Sequence, residues 1–331
     1  MRIVITGGAG FIGSHFIKHI LGKYPDYNVL NIDKLTYAGN LENLKEVENK
    51  SNYKFLQADI CDKNIENEIS GYDVIVNFAA ESHVDRSIQA PKTFLKTDIM
   101  GTFNLLEIAR AKGIHRYIQI STDEVFGSAD EGVIFSEESP LNPSNPYSAS
   151  KAAADLLAIS YYKTYKTPVL VVRSTNNYGP NQYPEKFIPL FITNALEEKE
   201  LPLYGDGQNV RDWIFVLDNC RAIDTVLHKG SEGAVYNIAG GNDKENIFVA
   251  RKIVEYLNKP ESLIKFVPDR PGHDIRYSIS CEMVKELGWR PEIPFEEGLS
   301  QTIEWYKNNE PWWKKIKSGE FMEYYRKQYR L

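Results

Sequence analysis

Residues 2–14, Arg2-Ile3-Val4-Ile5-Thr6-Gly7-Gly8-Ala9-Gly10-Phe11-Ile12-Gly13-Ser14, decide the fold. Ile3-Val4-Ile5 reads as a short buried strand, and residues 11–21 carry the apolar spacing of a helix. Between them Gly7, Gly10 and Gly13 follow a GxxGxxG spacing. Glycines there allow a tight turn and let a pyrophosphate approach the backbone, with the helix N-terminus facing the anion. A glycine-rich turn alone is weak. Seated between a strand and a helix, it predicts a dinucleotide site at Gly7, Gly10, Phe11, Ile12 and Gly13.

The following strand ends support this reading. Asp33 closes the strand at 29–32 and stands 20 residues after Gly13. A carboxylate there accepts hydrogen bonds from an adenosine ribose and repels a 2′-phosphate, which selects NAD over NADP. A capping Asp in an ordinary turn is the weaker reading with those glycines upstream. Asp59 and Ile60 follow the strand at 54–56 and are placed to face the adenine. Ala79 and Ala80 follow the strand at 74–76 and leave room for the cofactor.

Strands at 117–120 and 169–172 and helices at 93–112 and 147–165 continue the pattern. Continuous apolar strands between helices mean a parallel sheet buried on both faces. The expected fold is α/β, a Rossmann-type doubly wound parallel sheet with a smaller mixed α/β lobe. After Arg173 the pattern loosens. Residues 176–213 are rich in Pro, Gly, Asn and Tyr and show few regular elements. A strand at 214–216, a helix at 217–229 and a strand at 234–238 follow. The expected division gives 1–173 plus about 211–236 to the NAD-binding domain, and about 174–210 plus 237–331 to a substrate lobe. The tail at 311–331 mixes aromatics with Lys and Arg. A C-terminal helix packing its rings on the body explains it better than stacked bases, which also need a groove.

The chain has 331 residues, 42% hydrophobic and 25% charged, enough for a real core. A net charge of -6 argues against nucleic acid as the main partner. Cys61, Cys220 and Cys281 are far apart and form no CxxC, which suits a reducing compartment. No apolar run reaches the roughly 18 residues that span a bilayer. A first strand beginning at Arg2 leaves no room for a signal peptide, so the expected location is cytoplasmic. His15 and His19 are spaced i, i+4 without an evident third ligand. They read as a helix face, and no metal is expected.

The chemistry sits in Ser121-Thr122-Asp123-Glu124-Val125-Phe126-Gly127, at the carboxyl end of a strand, where open α/β sheets bind ligands. Downstream comes Tyr147-Ser148-Ala149-Ser150-Lys151, just after Pro146. Pro suits a helix start, so Tyr147 and Lys151 share a face one turn apart. Such a pair beside a nicotinamide can oxidise an alcohol. Lowering a phenol from a pKa of about 10 to near neutrality takes about 4 kcal/mol. A neighbouring ammonium and a positive nicotinamide ring both favour the phenolate. Thr122 is placed to bond the hydroxyl being oxidised. Asp123 and Glu124 add an acid and a base for loss of water. Together they predict a dehydratase that borrows and returns a hydride. Alone, YxxxK is common in surface helices and adjacent acids are usually solvated; the dinucleotide motif gives both weight.

Later loops gather amides, rings and cations: Asn176-Asn177-Tyr178, Lys186-Phe187, Leu203-Tyr204-Gly205, Arg211-Asp212-Trp213 and Asp269-Arg270-Pro271-Gly272-His273-Asp274. They fit a sugar diphosphate. Lys186, Arg211 and Arg270 can neutralise a pyrophosphate, and Tyr204 can lie near a base. His83 either touches a ligand or caps the next element, and the residues leave this open.

Several of these stretches resemble the extended branch of the short-chain dehydrogenase/reductase superfamily and, within it, the dTDP-glucose 4,6-dehydratases. They are residues 6–14, Asp33-Lys34-Leu35-Thr36-Tyr37-Ala38-Gly39-Asn40-Leu41, Ala80-Glu81-Ser82-His83-Val84-Asp85-Arg86-Ser87-Ile88, Thr122-Asp123-Glu124-Val125, Tyr147 to Lys151, Arg211-Asp212-Trp213 and residues 270–274. The resemblance covers nearly the whole chain. UDP-galactose 4-epimerases look similar but lack the acid pair, and GDP-mannose dehydratases carry Ser beside the Glu. Phe126 stands where the family often has Tyr, and Ile275 where an Arg is common.

The resemblance implies a hydro-lyase converting dTDP-glucose to dTDP-4-keto-6-deoxyglucose for rhamnose or related deoxysugar supply. It implies tightly bound NAD, regenerated each turnover, and a homodimer through a helix bundle begun near Thr93 and Tyr147. Thr122, Asp123, Glu124, Tyr147 and Lys151 would be catalytic. Lys34, Leu35, Thr36, Ser82, Tyr147 and Lys151 would join the cofactor contacts. Substrate contacts would be His83, Thr122, Asn177, Lys186, Phe187, Pro202, Tyr204, Arg211, Asn246, Asp269, Arg270 and His273. The alternatives are a UDP-sugar 4,6-dehydratase, a nucleotide-sugar 4-epimerase, and a non-catalytic nucleotide-sugar or NAD-sensing module. The intact Tyr147, Lys151 and acid pair speak against the last.

Overall fold

The computed structural model describes residues 1–269 and 272–329. Its strands are β1 (Arg2–Thr6), β2 (Asn28–Asp33), β3 (Tyr53–Gln57), β4 (Val74–Asn77), β5 (Arg116–Thr122) and β6 (Val169–Ser174), then β7 (Asn176–Tyr178), β8 (Leu201–Tyr204), β9 (Val210–Phe215), β10 (Val235–Ile238), β11 (Asp243–Glu245) and β12 (Ile264–Val267). Among the described residues seven strands form one parallel sheet in the order β3-β2-β1-β4-β5-β6-β10. The winding direction reverses between β1 and β4. Ligands of such sheets bind outside the carboxyl ends at that point.

Both faces of the sheet are covered, which is why its strands are apolar without alternation. Ile3, Ile5, Val74, Val76 and Ile118 face one core with Phe16, Ile17, Ile223 and Val226. Val4, Ile75, Tyr117 and Val171 face the other with Leu105, Leu106, Ile108 and Ala158.

The helix Pro146–Tyr165 starts where the sequence predicts. Asn145 caps it through a reciprocal bond pair with Ser148, and Pro146 occupies its first turn. The helix expected over 93–112 runs from Pro91 to Lys112, but residues Leu95–Gly101 are wound as a π-helix. Such widened turns are frequent at functional sites.

Residues 176–213 hold more structure than their composition indicates. The helix Phe187–Leu196 is buried nearly all round, so it shows no polar stripe at helical spacing. β9 pairs with β7 on one side and β11 on the other in a second sheet, and β8 pairs with β12 in a third. The helix after β9 begins at Val216, and β10 returns to pair with β6. A further core joins Ile188, Phe191, Leu203, Trp213, Leu299 and Trp313. The tail packs as expected: Trp312, Trp313 and Phe321 are buried.

Candidate active site

A large cleft opens over the carboxyl ends of β1 and β4. Gly7, Gly10, Phe11, Ile12 and Gly13 line it, with Asp33, Lys34, Thr36, Asp59, Ile60, Ala79, Ala80 and Ser82. Gly7 has φ +69, and a Cβ there would lie 2.6 Å from the amide of Ala79. A Cβ on Gly13 would lie 2.5 Å from the carbonyl oxygen of Gly7. Gly7 and Gly13 are therefore closed to any side chain. The helix Phe11–Lys23 has no side-chain cap at Gly10, which leaves first-turn amides for an anion. Asp33 does not cap a helix. Its Oδ2 accepts from Ala9 N at 2.9 Å and its Oδ1 from Leu35 N at 2.8 Å. Each oxygen keeps a lone pair for a ribose. Burial raises its pKa, and the two amides oppose that. Lys34 and Asp59 pair at 2.8 Å on the wall of the cleft. These residues fit a dinucleotide with an unphosphorylated ribose.

Thr122, Asp123, Glu124, Tyr147 and Lys151 line the same cleft. Thr122 Oγ1 donates to Asp123 Oδ1 at 3.2 Å, and the Thr122 side chain also bonds Tyr147. Lys151 Nζ donates to Ile120 O at 2.6 Å, which pins the Tyr–Lys helix to β5. Burial lowers the Lys151 pKa, opposed by Asp98 and Asp155.

Tyr147 is set against ionisation by the chain's own groups. Burial raises its pKa well above the ordinary phenol range, and the carboxyls of Glu124, Asp98 and Asp123 add to the shift. The chain's own groups hold the proton on, so a cation arriving with the ligands has to favour the phenolate.

Burial raises the Asp123 pKa well above the ordinary carboxyl range, and the charges of Glu124 and Asp212 add to the shift. Among the described residues no group bonds its Oδ2. Glu124 accepts from Tyr277 Oη at 3.4 Å. Two carboxyl groups side by side, one of them held towards its neutral form by burial, can serve as acid and base in an elimination.

A second, smaller cavity adjoins the first. His83, Phe187, Pro202, Tyr204, Arg211, Asn246, His273 and Tyr277 line it. Glu124, Tyr147, Asn176 and Lys186 line both cavities, so the acid–base groups stand at their junction. Asn177 lines the large cleft. Arg211 stacks on Tyr277 at 4.3 Å and spends donors on the carbonyls of Val210 and Asp274, at 2.7 and 2.8 Å.

Two expected contacts lie elsewhere. Leu35 lines neither cavity; its backbone, at φ 56, serves Asp33 instead. Asp269 lines neither cavity and bonds His273 Nδ1 at 2.6 Å, holding that ring from behind. Arg270 falls outside the described residues. His15 bonds the carbonyl of Pro180 and His19 bonds Asp224; among the described residues no cluster could hold a metal.

Other contributors have no local signal. Thr97, Gln182 and Tyr183 line the large cleft. Tyr277 reaches Glu124 from far along the chain. Asp98, in the π-helical turn, sits behind Lys151 and accepts from Glu81 N and Ser150 Oγ at 2.8 and 2.6 Å. An acid among apolar helix residues is its only trace in the sequence. The two departures have simple settings. Phe126 stacks on Phe135 at 5.3 Å, with the Arg173 guanidinium 4.9 Å from its ring, while Ile275 is 69% exposed and contributes its backbone.

The GDP-mannose 4,6 dehydratase family profile matches residues 4–302. A dTDP-glucose 4,6-dehydratase from Streptomyces niveus is 48% identical over 326 residues, 97% of this chain and 97% of that protein. A crystal structure of dTDP-glucose 4,6-dehydratase from Streptomyces venezuelae with NAD bound superposes with a TM-score of 0.93 at 46% identity, covering 96% of this chain and 100% of that one. The enzyme of that name from Bacillus anthracis, also in complex with NAD, gives a TM-score of 0.89 at 50% identity, covering 96% and 99%. With the glycine turn, the Tyr–Lys helix and the adjacent acid pair in one site, the chain belongs to the dTDP-glucose 4,6-dehydratase family.

Proposed function

We infer that this chain is an NAD-dependent hydro-lyase that converts dTDP-glucose to dTDP-4-keto-6-deoxyglucose. One observation carries the reading: two adjacent acids, the buried Asp123 and Glu124, line one cleft with Thr122, Tyr147 and Lys151, and Glu124 and Tyr147 also line the second cavity. A 4-epimerase needs no such acid pair. NAD, held by Gly7, Gly10, Gly13, Asp33 and their neighbours, supplies the acceptor for the C4 hydride and its donor to C6.

The chain's residues manage the protons. Thr122 bonds the 4-hydroxyl and Tyr147 takes its proton, with Lys151 as the adjacent cation. The resulting ketone acidifies C5–H, which Glu124 removes. Asp123 protonates the departing 6-hydroxyl, and water leaves. Glu124 then returns a proton to C5 as C6 is reduced. The proton gained at Tyr147 balances the one lost at Asp123. Lys186 and Arg211 are assigned to the diphosphate, and Tyr204 to the base.

We assign 1–173 plus about 211–236 to the NAD-binding domain and the remainder to the nucleotide-sugar lobe. His19 and Lys23 bond Asp224 at 2.8 and 2.7 Å, which ties the helix Val216–Lys229 to the first helix; β10 also joins the main sheet. β9, at the start of that segment, pairs with β7 and β11 in the smaller sheet and not with the main one. The helices over 91–112 and 146–165 expose Leu95, Met100, Phe103 and Leu156 by 41% or more, which supports a homodimer through them. Among the described residues no helix is long and apolar enough to cross a membrane. Three free cysteines favour the cytoplasm.

Incubation with dTDP-glucose carrying deuterium at C4 tests the function. The label should appear at C6 of the product, and one solvent hydrogen should enter at C5. A 4-epimer, or label lost from the product, overturns the reading.

A further inference from the structure

The helix Glu320–Tyr329 has no part in this chemistry, yet it contacts two walls of the second cavity. Tyr324 Oη lies 3.2 Å from His83 Nδ1, and the two rings meet edge to face at 5.8 Å. Gln328 Nε2 donates to Tyr204 Oη at 2.8 Å. Tyr204 Oη donates onward to Asp85 Oδ2 at 3.1 Å. Gln89 Nε2 donates to Gln328 Oε1 at 3.0 Å, which turns the Gln328 amide so that its nitrogen faces Tyr204. Arg86 lies between two rings, 3.8 Å from Tyr37 and 4.4 Å from Tyr324, and pairs with buried Glu185 at 2.8 Å. His83 itself has φ 83, a backbone state that a side chain rarely adopts unless its surroundings hold it.

We propose that the helix Glu320–Tyr329 is a positioning element of the nucleotide-sugar site, acting through Tyr324 on His83 and through Gln328 on Tyr204. The inference rests on the reading that the second cavity takes the nucleoside diphosphate. A tyrosine hydroxyl donating to Nδ1 leaves the imidazole proton on Nε2. His83 then presents a fixed N–H donor, suited to a phosphate or base oxygen. Tyr204 Oη, with one donor and one acceptor partner, cannot swing away from the cavity without breaking both bonds. The helix therefore adds a partner to His83 Nδ1 and to Tyr204 Oη beyond those the cavity's own segments supply.

Tyr324→Phe keeps the ring against Arg86 and His83 and removes only the hydroxyl. Gln328→Leu removes the amide donor at similar size. Both are made in the full chain with NAD bound. Each should raise KM for dTDP-glucose and Kd for dTDP about fivefold, the scale of one hydrogen bond. Each should leave kcat within about twofold and lower the melting temperature by no more than about 2 to 4 °C, the scale of one internal hydrogen bond. Unaltered KM and dTDP affinity in both variants overturn the proposal. So does a lowered melting temperature with unaltered KM, which is the signature of packing alone. Wild-type turnover of dTDP-glucose reports on the functional reading, and the variant to wild-type ratio of dTDP affinity reports on the helix. The two can therefore fail separately.

Discussion

Ser150 Oγ donates a 2.6 Å hydrogen bond to Asp98 Oδ2, joining the helix of Tyr147 and Lys151 to the π-helical turn Leu95–Gly101. The bond is buried, and it places a carboxyl group behind the Tyr–Lys pair. Burial lifts Asp98 from 3.8 to about 6, opposed first by Lys151.

A carboxyl raised in this way favours the folded state below its ordinary pKa, and the benefit is lost as pH rises through the folded value. From about pH 4 to about pH 7, ionisation of Asp98 should remove up to about 3 kcal/mol of stability. Asp98→Asn keeps an acceptor for Glu81 N and a polar partner for Ser150 but cannot ionise. In denaturant unfolding without NAD, the variant should gain on wild type across that window. A difference that stays constant with pH would refute the assignment.

The division of labour predicts different blocks. Tyr147→Phe should stop the reaction before any reduced nicotinamide forms. Glu124→Gln and Asp123→Asn should each lower turnover at least about a hundredfold, the scale of a general acid or base. Oxidation should survive in both, at least in part. Rapid mixing with dTDP-glucose should then show reduced-nicotinamide absorbance persisting in the acid-pair variants and absent in Tyr147→Phe. Near wild-type product formation by the double acid variant would remove the pair from the mechanism.

Asp33 should discriminate between cofactors. Charge repulsion plus a lost ribose bond should favour NAD over NADP by about 2 to 4 kcal/mol. Titration of the apoprotein measures both affinities, and equal values would contradict the role given to this carboxylate.

The glycine turn offers an internally controlled test. Gly13→Ala sets a methyl 2.5 Å from the Gly7 carbonyl, where neither backbone can yield, while Gly22 in the same helix has nothing within 4 Å. NAD affinity should fall at least about tenfold in Gly13→Ala, the equivalent of about 1.4 kcal/mol. Gly22→Ala should bind normally and gain about 0.5 to 1 kcal/mol of stability. Matching effects from the two changes would show that crowding at the turn is not the cause.

Much of this site is legible in the order of residues alone, because its signals are local. A strand, a glycine turn and a helix within residues 2–23 fix the cofactor end. Asp33 and the Thr122-Asp123-Glu124 run stand at strand ends, and Tyr147 and Lys151 are four apart on one helix. Steric freedom at glycine, helical period and strand termini act within a few residues, so sequence alone determines them. The tertiary structure decided what depends on distant chain segments. Tyr277 meets Glu124 across 153 residues and Tyr324 meets His83 across 241. The pairings of β8 with β12 and β7 with β9 follow from packing, and no local pattern encodes them. The Tyr147 pKa is the clearest case. Helical spacing supplies a lysine one turn away and predicts a lowered phenol. Without ligands the fold raises it instead, because it desolvates the phenol and brings carboxyls from two separate segments around it, Asp98 and the pair Asp123-Glu124.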